Sequence, residues 1–208
     1  MCIRDRAYDA FRSTMNEEDT EEKAVINFDR EYSIALNEKN GRDAASSILT
    51  TVRVENNAQL AIAPYYYFTA SIYKGECTSS RVALMTAKSS DTSLYFAEIN
   101  GEQVWKLVEN YLDHTENEFS ITNQYELPIL SGMKITVQKE EDGFSLKDIT
   151  VDQEEIDKEK EYSILLTDTT RSILEKTIPG CRIKQLQDMT LSSAWTAFME
   201  KGQQPLAP

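Results

Sequence analysis

The chain has 208 residues, of which 40% are hydrophobic and 27% are charged, a composition typical of one large globular domain or two small ones. The formal net charge is −13 at pH 7. This charge argues against a nucleic-acid partner, because polyphosphate binding depends on clustered lysine and arginine. No stretch approaches the ~20 consecutive apolar residues of a membrane-spanning helix, so we expect no membrane insertion.

The two ends of the chain are set apart from the domain between them. Residues 1–6 read Met-Cys-Ile-Arg-Asp-Arg and resemble a translated sequencing adapter. On this interpretation the natural N-terminus lies upstream, and the lack of a signal peptide carries no information about secretion. We interpret residues 7–36 as the end of an interdomain linker and a first strand, 37–202 as one domain, and 203–208 as a tail that we expect to fray.

The first third of the chain predicts two short strands with a helix between them. Residues 23–28 contain three large apolar side chains and predict a strand. Residues 42–54 place apolar residues at helical spacing, which predicts an amphipathic helix. An apolar strand follows at Ala58–Ala63, and Pro64 ends it because proline cannot donate to a strand ladder.

The segment from Ser93 to Leu112 has the clearest local pattern. Alternating apolar residues predict a strand up to Ile99, and Asn100-Gly101 predicts a turn. Apolar residues at helical spacing then predict a helix that ends near Leu112.

The second half predicts mostly strands. Residues 133–137 alternate apolar and polar side chains, residues 141–143 predict a hairpin turn, and residues 144–151 return as the second strand. A further strand is predicted at Tyr162–Leu166, and Asp188 is the predicted N-cap of the last helix. Strands and helices are interspersed, so the predicted class is α+β, with a mixed β-sheet, antiparallel hairpins and packed helices.

The residue types needed for hydrolysis are too few in this chain. His114 is the only histidine, whereas a two-metal site needs several histidine and carboxylate ligands. His114 has charged and polar neighbours, so we expect a surface residue and not a member of a Ser-His-Asp triad. The cysteines, Cys2, Cys77 and Cys181, have no metal-type or redox spacing. We therefore predict no catalytic residues and no metal ligands.

The glycines are also too widely spaced to form a phosphate-binding loop. The closest pair is Gly132 and Gly143, and phosphate loops need several glycines within a few residues. Acidic runs at residues 140–142 and 152–159 lack the alternating ligands and central glycine of a calcium loop. Solvated turns explain these runs, so no cofactor is expected in this chain.

The aromatic run Tyr65-Tyr66-Tyr67-Phe68 is the one unusual local feature. It predicts either a stacking surface for a planar ring or a sugar, or a strand or loop with alternate rings buried in the core.

Six segments resemble, in order and spacing, the C-terminal domain of the 5′-nucleotidase family over residues 37–208. They are Asn37-Glu38 with the following helix, Ala58–Ile62, Lys74–Thr78 (similar to the family's Gly-Glu-Ile-Thr turn), Leu94–Leu112 (Leu-Thr-Gly turn), Leu130–Lys134 (Val-Ser-Gly-Leu-Lys) and Asp157–Ile164 (Lys-Thr-Tyr-Thr-Val).

The segments that hold a nucleotide in that family are different here. Pro64–Thr69 stands where the family has Asn-Gly-Gly-Gly-Ile-Arg, so the phosphate-facing arginine is gone. Ser89–Thr92 replaces Pro-Phe-Gly-Asn-Thr, the second stacking ring falls near Thr169, and Glu175–Gly180 replaces the Gly-Gly-Asp-Gly loop. Because base stacking contributes ~1–3 kcal/mol per base, these changes predict that ordinary nucleotide affinity is lost.

The resemblance implies a substrate-side domain that works with a separate N-terminal metallophosphatase domain, where the divalent metal ions would bind. It also implies an extracellular or cell-surface location. The other hypothesis is a degenerate, non-catalytic binding or structural module of a cell-surface protein. Under either hypothesis, the candidate residues for a small-molecule ligand are Tyr66, Tyr67 and Asp168, chosen by their chain position beside the altered loops.

Overall fold

The computed structural model describes residues 25–34, 39–87, 93–113 and 121–208. Its strands are β1 (Val25–Phe28), β2 (Leu60–Ala63), β3 (Gly75–Thr78), β4 (Ser93–Asn100), β5 (Ile129–Ser131), β6 (Lys134–Glu140), β7 (Gly143–Val151), β8 (Glu154–Glu155), β9 (Glu161–Thr167) and β10 (Ile183–Thr190). Its α-helices are α1 (Lys39–Glu55), α2 (Ser79–Ala83), α3 (Gly101–Leu112), α4 (Asp168–Thr177) and α5 (Leu191–Glu200). Two 3₁₀ turns cover Tyr65–Tyr67 and Gln124–Glu126.

A five-stranded mixed sheet in the order β10-β4-β9-β2-β5 forms the centre of the molecule. β9 runs parallel to β2, and every other neighbouring pair in this sheet is antiparallel. β1 and β3 form a separate antiparallel pair, and β6, β7 and β8 form a three-stranded antiparallel sheet. The observed class is α+β, as the alternation of predicted strands and helices indicates.

The middle strands β2 and β9 are buried on both faces of the central sheet, and their successive side chains point alternately into two cores. Ala61 and Ala63 lie in one apolar core with α1, α2 and α5. Leu60 and Ile62 lie in a second core with α3, α4 and β7. This two-sided burial explains why β2 and β9 have continuous apolar runs in place of an alternating pattern.

α3 begins directly where β4 ends, without an intervening turn. The Asn100 side chain accepts a hydrogen bond from the backbone N–H of Gln103, and the Gln103 side chain accepts one from Asn100 in return. The sequence predicts a turn at Asn100-Gly101, whereas the structure uses Asn100 as a helix N-cap, which places the helix against its own strand.

Most predicted elements are confirmed, with differences of one to three residues at their ends. Asp188 is not an N-cap: it lies inside β10 with a left-handed φ of 56°, and Thr190 caps α5 by accepting from Ser193 N. The tail contacts α1: Leu206 accepts a hydrogen bond from Ser47 Oγ and donates one to Thr51 Oγ1. Its fraying stays a prediction. No helix in the described ranges is long and apolar enough to cross a membrane.

Candidate functional site

β2 and β9 end side by side, and we call the end of the sheet beyond Ala63 and Thr167 the carboxyl edge. The first residue of β5, Ile129, pairs with Ala63, and Leu94 near the start of β4 pairs with Thr167. Four segments therefore meet at the carboxyl edge: the two that follow β2 and β9, and the two that precede β4 and β5. Ligands of α/β sheets commonly bind beyond the carboxyl ends of parallel strands.

The candidate residues Tyr66 and Tyr67 lie on the 3₁₀ turn that follows β2, and both contact the start of α4. The Tyr66 hydroxyl lies 3.2 Å from Thr169 Oγ1, and the Tyr67 hydroxyl lies 3.0 Å from the same atom. The structure thus brings together residues more than a hundred positions apart in the chain.

The aromatic run divides between packing and exposure, and it forms a 3₁₀ turn where a strand or loop was expected. Tyr67 and Phe68 are almost fully buried in the core beside α1. The Tyr66 side chain is 38% exposed and meets the rings of Tyr65 and Tyr67 edge-on, with centroids 5.4 and 5.1 Å apart. Packing therefore accounts for Tyr67 and Phe68 and in part for Tyr65, which packs against the same core. Tyr66 presents an aromatic surface at the carboxyl edge.

Asp168 is the first residue of α4, where a carboxylate is favoured by the helix dipole. Its Oδ1 accepts a hydrogen bond from the Tyr95 hydroxyl at 2.7 Å, and its Oδ2 accepts one from Ser93 N at 3.1 Å. Burial, and after it the hydrogen bond to Asp168, raise the pKa of Tyr95 above its ordinary value. Asp168 thus joins the start of β4 to α4 at the same edge as Tyr66.

Arg171 is the cation beside Asp168, and its charge is compensated within the chain. Its Nη1 lies 2.5 Å from Glu175 Oε2, and its Nε lies 3.9 Å from Asp168 Oδ1. The guanidinium carbon also lies 5.1 Å from the centroid of the Tyr95 ring. The pattern Asp168, Arg171, Glu175 places all three side chains on one face of α4 at i, i+3 and i+7.

Three residues of this arrangement were not among the candidates: Tyr95, Thr169 and Arg171. The i, i+3 spacing of Asp168 and Arg171 is a signal that the sequence does carry. Tyr95 carries no such signal. It reaches Asp168 only because β4 pairs with β9 in the register that places Tyr95 beside Leu166.

Some predictions concern residues outside the described ranges. His114 and the replaced segment Ser89–Thr92 lie there, and so do residues 1–6.

Cys77 and Cys181 are partly buried free thiols, and burial raises the pKa of each, which makes them less reactive than an exposed cysteine.

A metal centre does not fit the residues at this edge. Within the described ranges no three side chains of histidine, cysteine, aspartate or glutamate lie close enough to share an ion. Both oxygens of Asp168 already accept hydrogen bonds. The described residues at this edge therefore do not form a metal centre, and the absence of a metal from the whole chain stays a prediction.

Residues 16–172 match the family model described as the 5′-nucleotidase C-terminal domain. The solved 5′-nucleotidase precursor of Thermus thermophilus superposes with a TM-score of 0.68 at 13% identity, covering 94% of this chain and 40% of that one. The NAD nucleotidase of Haemophilus influenzae gives 0.61 at 15% identity, covering 95% and 38%. The 5′-nucleotidase of Candida albicans gives 0.57 at 10% identity, covering 97% and 43%.

These likenesses concern the fold, since the identities are low. The chain spans about two fifths of the length of these three structures. No curated protein sequence gives a significant match.

Proposed function

Because the chain belongs to the 5′-nucleotidase C-terminal domain family, we propose that it is the substrate-side domain of a larger metallophosphoesterase-like protein. In this role it contacts the organic part of a substrate and carries no reacting group of its own. The ligand lies at the carboxyl edge, against Tyr66 and Tyr67 on one side and the start of α4 on the other. The candidate residues are Tyr66, Tyr67 and Asp168.

The convergence of these residues carries the proposal. Two tyrosines after β2 share the hydroxyl of Thr169, the neighbour of Asp168, after β9. Apolar rings with a few oriented polar groups are typical of small-molecule sites. The position also agrees with the usual place of ligands in sheets with parallel strands.

We further propose that the usual nucleotide-binding residues are replaced. Where the family has a glycine-rich segment ending in arginine, this chain has a 3₁₀ turn whose Tyr67 ring is buried. The nearby guanidinium of Arg171 already contacts Glu175 and Asp168, which reduces its attraction for a phosphate. The substrate would then differ from a standard nucleotide.

The catalytic metal ions belong, in this proposal, to a separate N-terminal metallophosphatase domain. The length of the matched solved structures, of which this chain covers about 40%, supports a larger functional unit. We infer an extracellular or cell-surface location from the family resemblance alone.

A ligand panel tests the binding role. Adenosine and AMP at about 1 mM should leave the melting temperature of the 208-residue chain unchanged, because a ligand raises it only when it binds the native state. At least one uncharged ring compound at tens of millimolar should raise it, and Tyr66→Ala should remove that rise. A clear shift with AMP would show that nucleotide recognition survives.

The upstream reading frame separates the two hypotheses on the whole protein. Asp-x-His and Asn-His metal motifs there would support an enzyme, and their absence would support the non-catalytic module. The purified chain alone, with added Mg²⁺, Mn²⁺ or Zn²⁺, should not hydrolyse a phosphomonoester; turnover that copurifies with the chain would contradict the proposed division of roles.

A further inference from the structure

A second aromatic turn lies at the carboxyl edge beside the first. Gln124–Glu126 forms a 3₁₀ turn just before β5, and the pairing of Ile129 with Ala63 places this turn next to the one that follows β2. The two turns are in contact, and the charge of Glu126 contributes, after burial, to a raised pKa of Tyr65. Tyr125 is at the centre of this second turn.

The backbone of the second turn is held firmly. The Arg42 guanidinium on α1 donates to the carbonyl oxygens of Tyr125, Leu127 and Pro128 at 3.1, 3.1 and 2.7 Å. Asn123 Oδ1 accepts from Tyr125 N at 2.9 Å. A ring on a fixed backbone loses little entropy when a ligand packs against it, so such a ring contributes more to affinity than a mobile one.

Tyr125 and Tyr66 are exposed to nearly the same extent, 40% and 38%. Each combines an apolar ring with a polar tip, as tyrosines at binding surfaces commonly do. Tyrosine also has only two side-chain torsions to order, which limits the entropy lost on contact.

The charges around these rings favour an uncharged ligand. Glu126 lies on the second turn, and Asp168 and Glu175 lie on α4, where Arg171 already contacts both of those carboxylates. Two guanidiniums accompany these carboxylates among the described residues: that of Arg171, and that of Arg42, which already donates to three carbonyl oxygens of the second turn. The opposite charges largely balance, and both guanidiniums already contact protein acceptors, which leaves little attraction for a phosphate. The carboxylates keep further lone pairs that can accept from hydroxyl groups.

We propose that Tyr125 joins Tyr66 in a two-ring surface that packs against an uncharged sugar ring of the ligand, whose hydroxyls face the neighbouring carboxylates. Tyr125 is then a specificity-determining residue of the proposed substrate-side function, on which this inference rests. The CH face of a sugar can pack on an aromatic ring from one side only, and the sugar needs no second ring on its opposite face. Two exposed tyrosines on adjacent turns can provide such a one-sided surface.

Ligand-observed NMR and calorimetry on the 208-residue chain test this inference, with ribose, glucose and N-acetylglucosamine as probes and adenosine and AMP as comparators. At least one sugar should bind, and more tightly than either comparator. Tyr125→Ala should lower the affinity for that sugar by about tenfold, equivalent to about 1.4 kcal/mol. Tyr125→Phe should change this affinity by less than about twofold, because the ring is retained.

Tyr73→Ala is the matched control, because Tyr73 is 69% exposed and precedes β3, outside the carboxyl edge; sugar binding should be unchanged. Melting curves of all variants exclude misfolding. If a sugar binds and Tyr66→Ala weakens it but Tyr125→Ala does not, this inference fails and the proposed function stands. If no probe binds, or if AMP or adenosine binds most tightly, both proposals fail.

Discussion

Gly132 connects β5 to β6 with a φ of +76°, and a β-carbon there would lie 2.1 Å from the carbonyl oxygen of Gln59. Gly180 also has a positive φ, +85°, but open space around it. Gly132→Ala therefore adds a backbone clash to the left-handed strain that both positions share. We expect it to lower the free energy of unfolding by about 3 kcal/mol, against about 1 kcal/mol for Gly180→Ala. Urea titrations measure both; equal losses would contradict the clash.

Asp168 contributes to stability as well as to the candidate site. Asp168→Asn keeps one acceptor oxygen but loses the charge-assisted bonds to Tyr95 and Ser93, so we expect a loss of about 1.5 kcal/mol. Glu175→Gln removes a half-exposed partner of Arg171 and should cost less than about 0.5 kcal/mol. Chemical denaturation at pH 7 compares the two variants. A larger loss of stability in Glu175→Gln would contradict the larger contribution that we expect from Asp168.

The N-terminus of α3 shows how far local sequence patterns determine an element. Asn100 with Gln103 forms a capping box, and such a cap contributes about 1 kcal/mol. Asn100→Ala should therefore lower stability by about that amount, and Asn100→Asp or Asn100→Ser should restore most of it. Thermal and urea unfolding check this expectation; a neutral Asn100→Ala would mean that the surrounding backbone bonds hold the helix start alone.

The C-terminal segment behaves as an element although it has no regular structure. Pro205 is buried, and the Leu206 backbone bonds to Ser47 and Thr51 on α1. Removing residues 203–208 should lower the free energy of unfolding by about 2 kcal/mol, from one buried ring and three hydrogen bonds, two to α1 and one to β1. Removing residues 207–208 alone is the control and should have little effect; a similar loss in both would contradict the contact with α1.

Local patterns predicted the elements better than their ends or their contacts. The strand and helix around Asn100 follow from periodicity that the sequence carries. Asp188 was the wrong N-cap because pairing of Thr190 with Ser93 extends β10 past it, which is a tertiary effect. Tyr95 and Tyr125 could not be placed at the site, since their positions depend on the registers of β4 with β9 and of β5 with β2.

At the scale of the whole molecule the net charge of −13 predicts a salt effect. Like charges on a compact surface repel, and 0.1 M salt largely screens the repulsion between exposed charges more than about 10 Å apart. Raising NaCl from about 10 mM to about 300 mM should stabilise the chain by up to about 1 kcal/mol at pH 7. Exposed pairs such as Lys106 with Glu102 weaken under the same conditions but contribute little. A loss of stability with salt would show that ion pairs dominate.

The parallel pairing of β2 with β9 has a consequence for chains that are still being synthesised or have been truncated. During synthesis, Tyr66 emerges about a hundred residues before Thr169, and Tyr125 emerges between them. A growing or proteolysed chain that stops before β9 has the rings but lacks Thr169, which contacts the hydroxyls of Tyr66 and Tyr67. Only the complete domain would then bind the ligand, and incomplete chains would not compete with intact ones for it.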